Sequence, residues 1–152
     1  CLPELAITGY GCQDLFYHDW FINKSYELLD EIKLLTKSIT VIVGHPILFE
    51  KKLYNSCCII QNQKILGFFL KSNLPNDGIH YEKRWFEPWK FGKVDKINFD
   101  KESYPIGTIQ IEYSDNLTLG FEICRDMWDT ERPANYISTK TYLEMHENLK
   151  AI

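Results

Sequence analysis

The sequence predicts an α/β domain with a mixed sheet, and three observations lead to that prediction. One segment has the spacing of apolar side chains that is typical of an amphipathic helix, whereas several others are short apolar runs typical of strands. Two pairs of those runs are separated by short polar connectors, which indicates antiparallel hairpins. The length of 152 residues suits one domain rather than two.

The helix is predicted over residues 25–37, where charged residues separate apolar residues at helical spacing. Those apolar residues are Leu28, Leu29, Ile32 and Leu35. The next run, residues 39–43, is rich in β-branched side chains and is closed by two chain breakers, Gly44 and Pro46. A run of this kind predicts a strand that is buried on both faces.

The rest of the chain is predicted to hold two hairpins separated by a long loop. Residues 53–60 and 65–70 form the first hairpin, and residues 106–113 and 117–123 form the second. Between them, residues 72–104 contain many Pro, Gly and Asn residues, which predicts a loop with little regular structure. The aromatic residues within that loop indicate that it packs against the rest of the domain.

The composition argues against several classes of function. The chain has 17 Lys and Arg residues against 21 Asp and Glu residues, so its net charge is −4 and no surface for nucleic acid is expected. Hydrophobic residues make up 45% of the chain, too many for a disordered protein, yet no apolar stretch is long enough to cross a membrane. The cysteines and histidines lack metal-site spacing, so we expect no metal site and reduced thiols in the cytoplasm.

Three polar residues lie beside chain breakers at the predicted ends of strands: Glu4, Lys71 and Cys124. Glu4 belongs to a strand-like phrase over residues 2–7, and a carboxylate among apolar residues needs a partner. The other two follow apolar runs, and a turn directly after a strand can expose a nucleophilic thiol. Taken singly, each residue also has a purely structural interpretation. Glu4 could cap a loop, Lys71 could be a solvated strand end, and Cys124 could be a small buried side chain. Spacing alone does not show whether the three meet.

The segments around these residues resemble the signature segments of the carbon–nitrogen hydrolase superfamily, to which the nitrilases belong. In chain order they are Pro3-Glu4-Leu5 with Thr8-Gly9-Tyr10, Lys71-x-x-Leu74-Pro75-Asn76, Glu82-x-Arg84-x-Phe86 and Gly120-x-Glu122-Ile123-Cys124. That family uses a Glu–Lys–Cys triad, and its three motifs correspond to Glu4, Lys71 and Cys124. The resemblance implies a nitrilase-like α-β-β-α sandwich with mixed sheets, here incomplete.

A second set of phrases resembles the glutaminase domain of the glutamine-dependent NAD synthetases, especially the eukaryotic ones. They are Gly9-Tyr10-Gly11-Cys12-x-Asp14, Val43-Gly44-His45-Pro46, Tyr54-Asn55, Arg84-Trp85-Phe86-x-Pro88-Trp89 and Glu122-Ile123-Cys124-x-x-x-Trp128. The resemblance implies a partial glutaminase domain over residues 1–135 that is truncated at both ends. Residues 136–152 are expected to form a divergent helical tail, and the synthetase domain is expected to be absent from this chain.

The resemblance also implies glutamine hydrolysis through a thioester on Cys124. Glu4 is the expected general base, and Lys71 is expected to stabilise the oxyanion. Glu82 is expected to position the lysine, with a plain salt bridge to the nearby Arg84 as the alternative. A tyrosine that the family places near the substrate pocket corresponds to Tyr10.

Arg125 is the other expected pocket residue, and it departs from the family pattern. The family usually has an acidic residue there, which can hold the α-ammonium group of glutamine. A guanidinium repels that group and attracts a carboxylate, so the identity of the amide stays open. Two alternatives therefore remain, a generic small-amide hydrolase of the same superfamily and a non-catalytic relative that acts as an interaction module.

The released ammonia is expected to serve an ATP-dependent conversion of deamido-NAD to NAD in the synthetase domain of the same polypeptide. That domain is expected to bind ATP, Mg²⁺ and deamido-NAD. No cofactor site is expected in this chain, because it has no glycine-rich phosphate loop. Glutamine, the synthetase domain and further copies of the parent protein are the expected partners.

Overall fold

The computed structural model, which describes residues 1–114 and 117–136, contains a five-stranded mixed sheet. Its strands are β1 (Thr40–Phe49), β2 (Lys52–Gln61), β3 (Lys64–Leu70), β4 (Val94–Phe99) and β5 (Glu102–Gly107). The order in space is β1-β2-β3-β5-β4, in which β3 and β5 are parallel and the other neighbours are antiparallel. The predicted mixed sheet is therefore confirmed.

Both predicted hairpins are present, although the second is shorter than expected. β2 and β3 are joined by Asn62 and Gln63, which both have positive φ angles (49° and 63°), as tight hairpin turns require. The second hairpin consists of β6 (Ile111–Ser114) and β7 (Leu117–Leu119), which form a separate two-stranded sheet. The residues that follow β7 continue without strand pairing toward Cys124.

The predicted helix is present as α1 (Asp19–Leu35), which begins at Asp19 rather than at residue 25. Its N-cap residue, His18, makes no side-chain capping hydrogen bond, so the sequence lacks the usual signal for a helix start. At the other end, the hydroxyl of Thr36 donates to the carbonyl of Lys33 (2.8 Å) and satisfies one of the last helical acceptors.

β1 does not end at Gly44, contrary to the prediction, but continues through Pro46 to Phe49. These breakers are tolerated because β1 is an edge strand of the sheet that the described residues form, where it pairs with β2. The strand-like phrase over residues 2–7 forms turns instead of a strand. It runs along the outer edge of β1, where the amide of Leu2 donates to the carbonyl of Ile42 (2.8 Å).

The predicted loop over residues 72–104 is wrong in its last third, which contains β4 and the start of β5. β4 is the other edge strand, and Ile97 is its one buried residue, so its sequence lacks a clear apolar alternation. The remaining loop does pack against the domain, as expected. Its side chains Phe86 and Trp89 are both buried.

Side chains pack against both faces of β1, β2 and β3, whereas burial on both faces was predicted only for residues 39–43. One face meets α1 through Leu29, and its cluster includes Cys58 and Phe68. The opposite face carries Cys57 and Phe69, which pack against the chain on either side of the two-stranded sheet. The result is a helix layer, a five-stranded layer and a two-stranded layer, which are three layers of the expected α-β-β-α sandwich.

Among the helices that the structure describes, none is long and apolar enough to cross a membrane. One helical turn is described at residues 133–136. The rest of the predicted helical tail over residues 136–152 lies outside the described residues.

Candidate active site

Lys71 is the central residue of a buried polar cluster at the end of β3. Its side chain is fully buried, and its backbone is fixed by hydrogen bonds with the carbonyl of Asn55 (2.9 Å) and the amide of Trp89 (3.0 Å). Its ammonium donates to Oε1 of Glu4 (2.5 Å) and to both carboxylate oxygens of Glu82 (2.7 and 2.8 Å). Two carboxylates therefore share one buried cation.

Glu4 reaches this cluster from the turn that lies along β1. Its side chain is 15% exposed, and the next residue, Leu5, is fully buried with a φ of 50°, which turns the chain sharply. The side-chain Nδ2 of Asn55 donates to Oε1 of Glu4 (2.7 Å) and, more weakly, to Oε2 of Glu82 (3.4 Å). Asn55 thus links the two carboxylates through its neutral amide group.

Glu82 lies in a single 3₁₀ turn, Glu82–Arg84, within the long loop. Its side chain is 1% exposed, and burial raises the pKa of its carboxyl although the Lys71 ammonium lowers it. The hydroxyl of Tyr10 donates to Oε1 of Glu82 (2.8 Å), while Nδ1 of His80 lies 3.1 Å from the same hydroxyl. Burial and the Glu82 carboxylate both raise the pKa of Tyr10, so Tyr10 stays a neutral donor.

Arg84 is not the partner of Glu82, which removes the plain salt bridge as the explanation for that carboxylate. The guanidinium of Arg84 instead makes a bidentate contact with Asp14 (2.8 and 2.9 Å), and the indole of Trp85 donates to the same carboxylate (3.1 Å). This clamp joins the loop that holds Glu82 to the 3₁₀ segment that holds Tyr10.

Cys124 lies at the corner predicted for a nucleophile, where extended chain changes into the 3₁₀ segment Cys124–Trp128. Its φ of 46° is unusual for a residue other than glycine and costs about 1–2 kcal/mol. Partial burial raises the pKa of the Cys124 thiol, and the carboxylate of Glu4 raises it further, whereas Lys71 lowers it. These interactions place the thiol within electrostatic reach of the lysine–carboxylate cluster.

A cavity of about 300 Å³ opens beside the thiol. Glu4 and Cys124 both line it, together with Ser56 and Cys57 from β2 and apolar residues on either side of Phe121. The cavity combines an accessible sulfur with an adjacent carboxylate, which is the arrangement that acyl transfer from a small amide requires.

Arg125 extends away from this cavity toward the loop that follows Lys71. Its guanidinium lies 3.9 Å from Oδ2 of Asp77, and both side chains are largely exposed. The pair therefore presents a positive and a negative group side by side near the nucleophile, with little stabilisation from their mutual attraction.

The structure brings the predicted residues Glu4 and Glu82 onto the Lys71 ammonium and Tyr10 onto Glu82, and Cys124 lines the same cavity as Glu4. It adds two residues that sequence reasoning missed. Asn55 is a buried polar residue within an apolar strand, and Asp126 is a buried carboxylate two positions after Cys124. A polar residue in an apolar run is a signal that a partner exists, but the run does not identify the partner.

No group of three His, Cys, Asp or Glu side chains within residues 1–114 and 117–136 is arranged to hold a metal ion. Both carboxylates of the cluster around Lys71 contact its ammonium instead.

Comparison with known proteins assigns the chain to one family. Residues 1–136 match the model of the carbon–nitrogen hydrolase family. The chain is 32% identical over 142 residues to the human glutamine-dependent NAD(+) synthetase, covering 86% of this chain and 20% of that protein. With the enzyme of the same name from Thermotoga maritima it is 28% identical over 151 residues, which cover 98% of this chain and 23% of that protein.

Solved structures give the same result. The crystal structure of a glutamine-dependent NAD(+) synthetase from Cytophaga hutchinsonii matches with a TM-score of 0.79 and 40% identity, covering 82% of this chain and 21% of that chain. The chain spans about a fifth of the length of the relatives it matches. Because the family model covers nearly the whole described chain, the protein belongs to the carbon–nitrogen hydrolase family.

Proposed function

We propose that this chain hydrolyses the side-chain amide of glutamine and supplies the ammonia for ATP-dependent synthesis of NAD from deamido-NAD. The observation that supports this most directly is the position of the Lys71 ammonium. It lies between Glu4 and Glu82, next to the corner that carries Cys124. The relatives named above, which are glutamine-dependent NAD synthetases, support the choice of glutamine.

In the first half of the reaction, the sulfur of Cys124 attacks the amide carbon and its proton passes to Glu4. Because Oε1 of Glu4 already accepts hydrogen bonds from Lys71 and Asn55, Oε2 is the oxygen that takes this proton. The Lys71 ammonium stabilises the negative charge on the carbonyl oxygen, helped by the backbone amide after Cys124. The C–N bond then breaks, and Glu4 returns the proton to the leaving ammonia.

In the second half, water attacks the thioester carbonyl while Glu4 accepts one of its protons. The C–S bond breaks, the thiolate regains a proton, and glutamate leaves. Glu82 contacts no reacting atom in this scheme but holds the ammonium of Lys71 from the opposite side. Tyr10 in turn holds Glu82.

The ammonia is consumed, in this proposal, by a synthetase domain of the same polypeptide, which binds ATP, Mg²⁺ and deamido-NAD. The supporting observation is that the relatives are about five times as long as the matched segment and are named for the complete reaction. We further propose that the parent protein is a cytoplasmic homo-oligomer.

The test is ammonia release from glutamine by the intact protein, with Cys124→Ala as the variant and Cys12→Ala as the matched control. We expect Cys124→Ala to abolish ammonia release and Cys12→Ala to retain it. Adding hydroxylamine during turnover should trap the thioester as γ-glutamyl hydroxamate in the wild type. Ammonia release that survives in Cys124→Ala would refute the assignment of the nucleophile.

A second candidate is favoured by Arg125, which directly follows Cys124 in the chain and has a guanidinium where the family usually has an acidic residue. An amide that carries a carboxylate but no ammonium at its far end, such as glutaramate, suits that cation better than glutamine does. If this candidate is right, kcat/KM for glutaramate exceeds that for glutamine, and Arg125→Glu reverses the preference. An equal fall in kcat/KM for both amides in Arg125→Glu would argue against this candidate. A wild-type protein that hydrolyses neither amide would instead favour a non-catalytic interaction module.

A further inference from the structure

Asp126 is a fully buried carboxylate that has no role in the mechanism above. It lies in the 3₁₀ segment two positions after Cys124, and no Lys or Arg of the described residues forms an ion pair with it. Burying a carboxylate without a cation costs several kcal/mol unless hydrogen bonds compensate. A carboxylate at this position therefore needs hydrogen-bond donors for both of its oxygens.

Backbone amides provide that partner set. Oδ1 of Asp126 accepts from the amides of Ser72 (3.1 Å) and Asn73 (2.8 Å), and Oδ2 accepts from the amide of Ile123 (3.2 Å). These three amides come from two distant parts of the chain. Oδ1 therefore binds residues 72–73 and Oδ2 binds Ile123, so the side chain bridges the two parts of the chain.

The two bridged parts are the ones that carry the cation and the thiol. Ser72 and Asn73 directly follow Lys71, and Ile123 directly precedes Cys124. The amide of Asp126 also donates to the carbonyl of Ile123 (3.1 Å), so side chain and backbone together close the corner. This corner holds Cys124 at a positive φ, a strained conformation that persists where its surroundings constrain it.

We propose that Asp126 is a positioning residue that fixes the distance between the Cys124 thiol and the Lys71–Glu4 pair by joining the two backbone segments that carry them. It acts through backbone amides, since its oxygens are taken up by Ser72, Asn73 and Ile123. The consequence for chemistry rests on the proposed function, but the geometry can be tested without turnover.

Asp126→Asn is the informative variant, because it has the same shape and one fewer acceptor. Its amide oxygen can replace Oδ1 or Oδ2, but its NH₂ group then faces an N–H group, so one side of the bridge is lost. Burial disfavours the charged form and raises the pKa of Asp126 to about 6, so a neutral side chain of the same shape costs less here than at a site that favours the charge. The variant is therefore expected to fold.

The first readout is the pH dependence of alkylation of Cys124 by iodoacetamide in the intact protein, followed at that residue by peptide mass spectrometry. Burial and Glu4 raise the pKa of the thiol in the closed corner. Release of the corner moves the thiol toward solvent, so we expect the alkylation midpoint to fall in Asp126→Asn. Asp129→Asn, a change at a partly exposed carboxylate in the same region, is the control and should leave the midpoint unchanged.

The second readout is turnover. A displacement of the nucleophile by about 1 Å is expected to lower kcat roughly 100-fold in Asp126→Asn, with KM within about twofold of the wild type. A merely structural role predicts instead a reduced amount of active protein, with an unchanged alkylation midpoint and unchanged kcat per active site. That result, or a wild-type midpoint together with wild-type kcat, would overturn the proposal.

A second variant covers the case in which Asp126→Asn does not fold. Asn73→Pro removes the backbone amide that makes the shorter of the two hydrogen bonds to Oδ1, and it leaves the carboxylate of Asp126 in place. Asn73→Pro should lower both the alkylation midpoint and kcat, as Asp126→Asn is expected to do. An unchanged midpoint would again refute the bridge. A wild-type protein without ammonia release would refute the proposed function alone, since the midpoint shift does not depend on turnover.

Discussion

The backbone nitrogen of Leu5 lies 2.4 Å from the position that a β-carbon on Gly44 would occupy. The carbonyl oxygen of Pro3 is nearly as close to that position, at 2.5 Å. The turn that carries Glu4 therefore rests directly on the backbone of β1, and it can do so because residue 44 has no side chain. The glycine that was predicted to end a strand instead allows the turn that carries Glu4 to approach β1 closely.

Gly44→Ala is expected to push the Glu4 segment away from Lys71. We expect kcat for ammonia release to fall roughly 10- to 100-fold, with a loss of unfolding free energy of about 1–3 kcal/mol from overpacking. Steady-state kinetics and urea unfolding measure the two effects. Gly11→Ala is the control, because Gly11 has a negative φ and no atom within 4 Å of its β-carbon position. Equal behaviour of the two variants would contradict the prediction.

Lys71→Met should both abolish turnover and destabilise the protein. It leaves the carboxylates of Glu4 and Glu82 buried without their shared cation, which costs about 3–5 kcal/mol of unfolding free energy. Adding Glu82→Gln removes one of those charges, so the double variant should recover part of the stability but none of the activity. Thermal unfolding and an ammonia assay separate the outcomes, and a double variant less stable than Lys71→Met would speak against charge sharing.

The pKa of the Cys124 thiol should respond oppositely to its two neighbours. Glu4→Gln removes a negative charge and should lower the pH midpoint of alkylation at Cys124, whereas Lys71→Met should raise it. The rate of alkylation at the exposed Cys1 serves as the internal control in each sample. Shifts of the same sign in both variants would mean that the charges do not act on the thiol directly.

His45 should make the protein less stable in acid. Its side chain is fully buried against the rings of Tyr26 and Phe68, and burial lowers its pKa from 6.5 to about 4. The unfolded chain therefore binds the proton first, and the unfolding free energy falls by about 3 kcal/mol as the pH drops from 6.5 to 4. In His45→Phe, the unfolding free energy measured by urea unfolding should change less with pH across this range than in the wild type. His18→Gln, at an exposed histidine, is the control. An unchanged pH dependence in His45→Phe would contradict the assignment.

The sheet was largely predictable where local chemistry is unambiguous, as in the hairpin of β2 and β3, where two apolar runs flank a polar turn. The sequence was misleading at edge strands. Gly44 and Pro46 were interpreted as chain breakers, but an edge strand pairs its backbone with a neighbouring strand on one side only and therefore tolerates them. β4 buries too few side chains for its sequence to show the alternation of apolar and polar residues that is typical of a strand.

The site shows the same division between local and distant information. Glu4, Lys71 and Cys124 were predicted as candidate site residues from their segments, because each stands in a distinctive run of neighbours. Asn55 and Asp126 act on partners more than 50 residues away along the chain. No local pattern identifies such partners, so their roles emerge only when the strands are assembled.

The parallel pairing of β3 with β5 bears on the order in which the molecule folds. β1, β2 and β3 are joined by short turns and can form early, whereas parallel strands need a crossover connection and pair late. Glu82 lies on that crossover. During folding, Lys71 at the end of β3 is therefore expected to gain the carboxylate of Glu82 only when β5 pairs with β3.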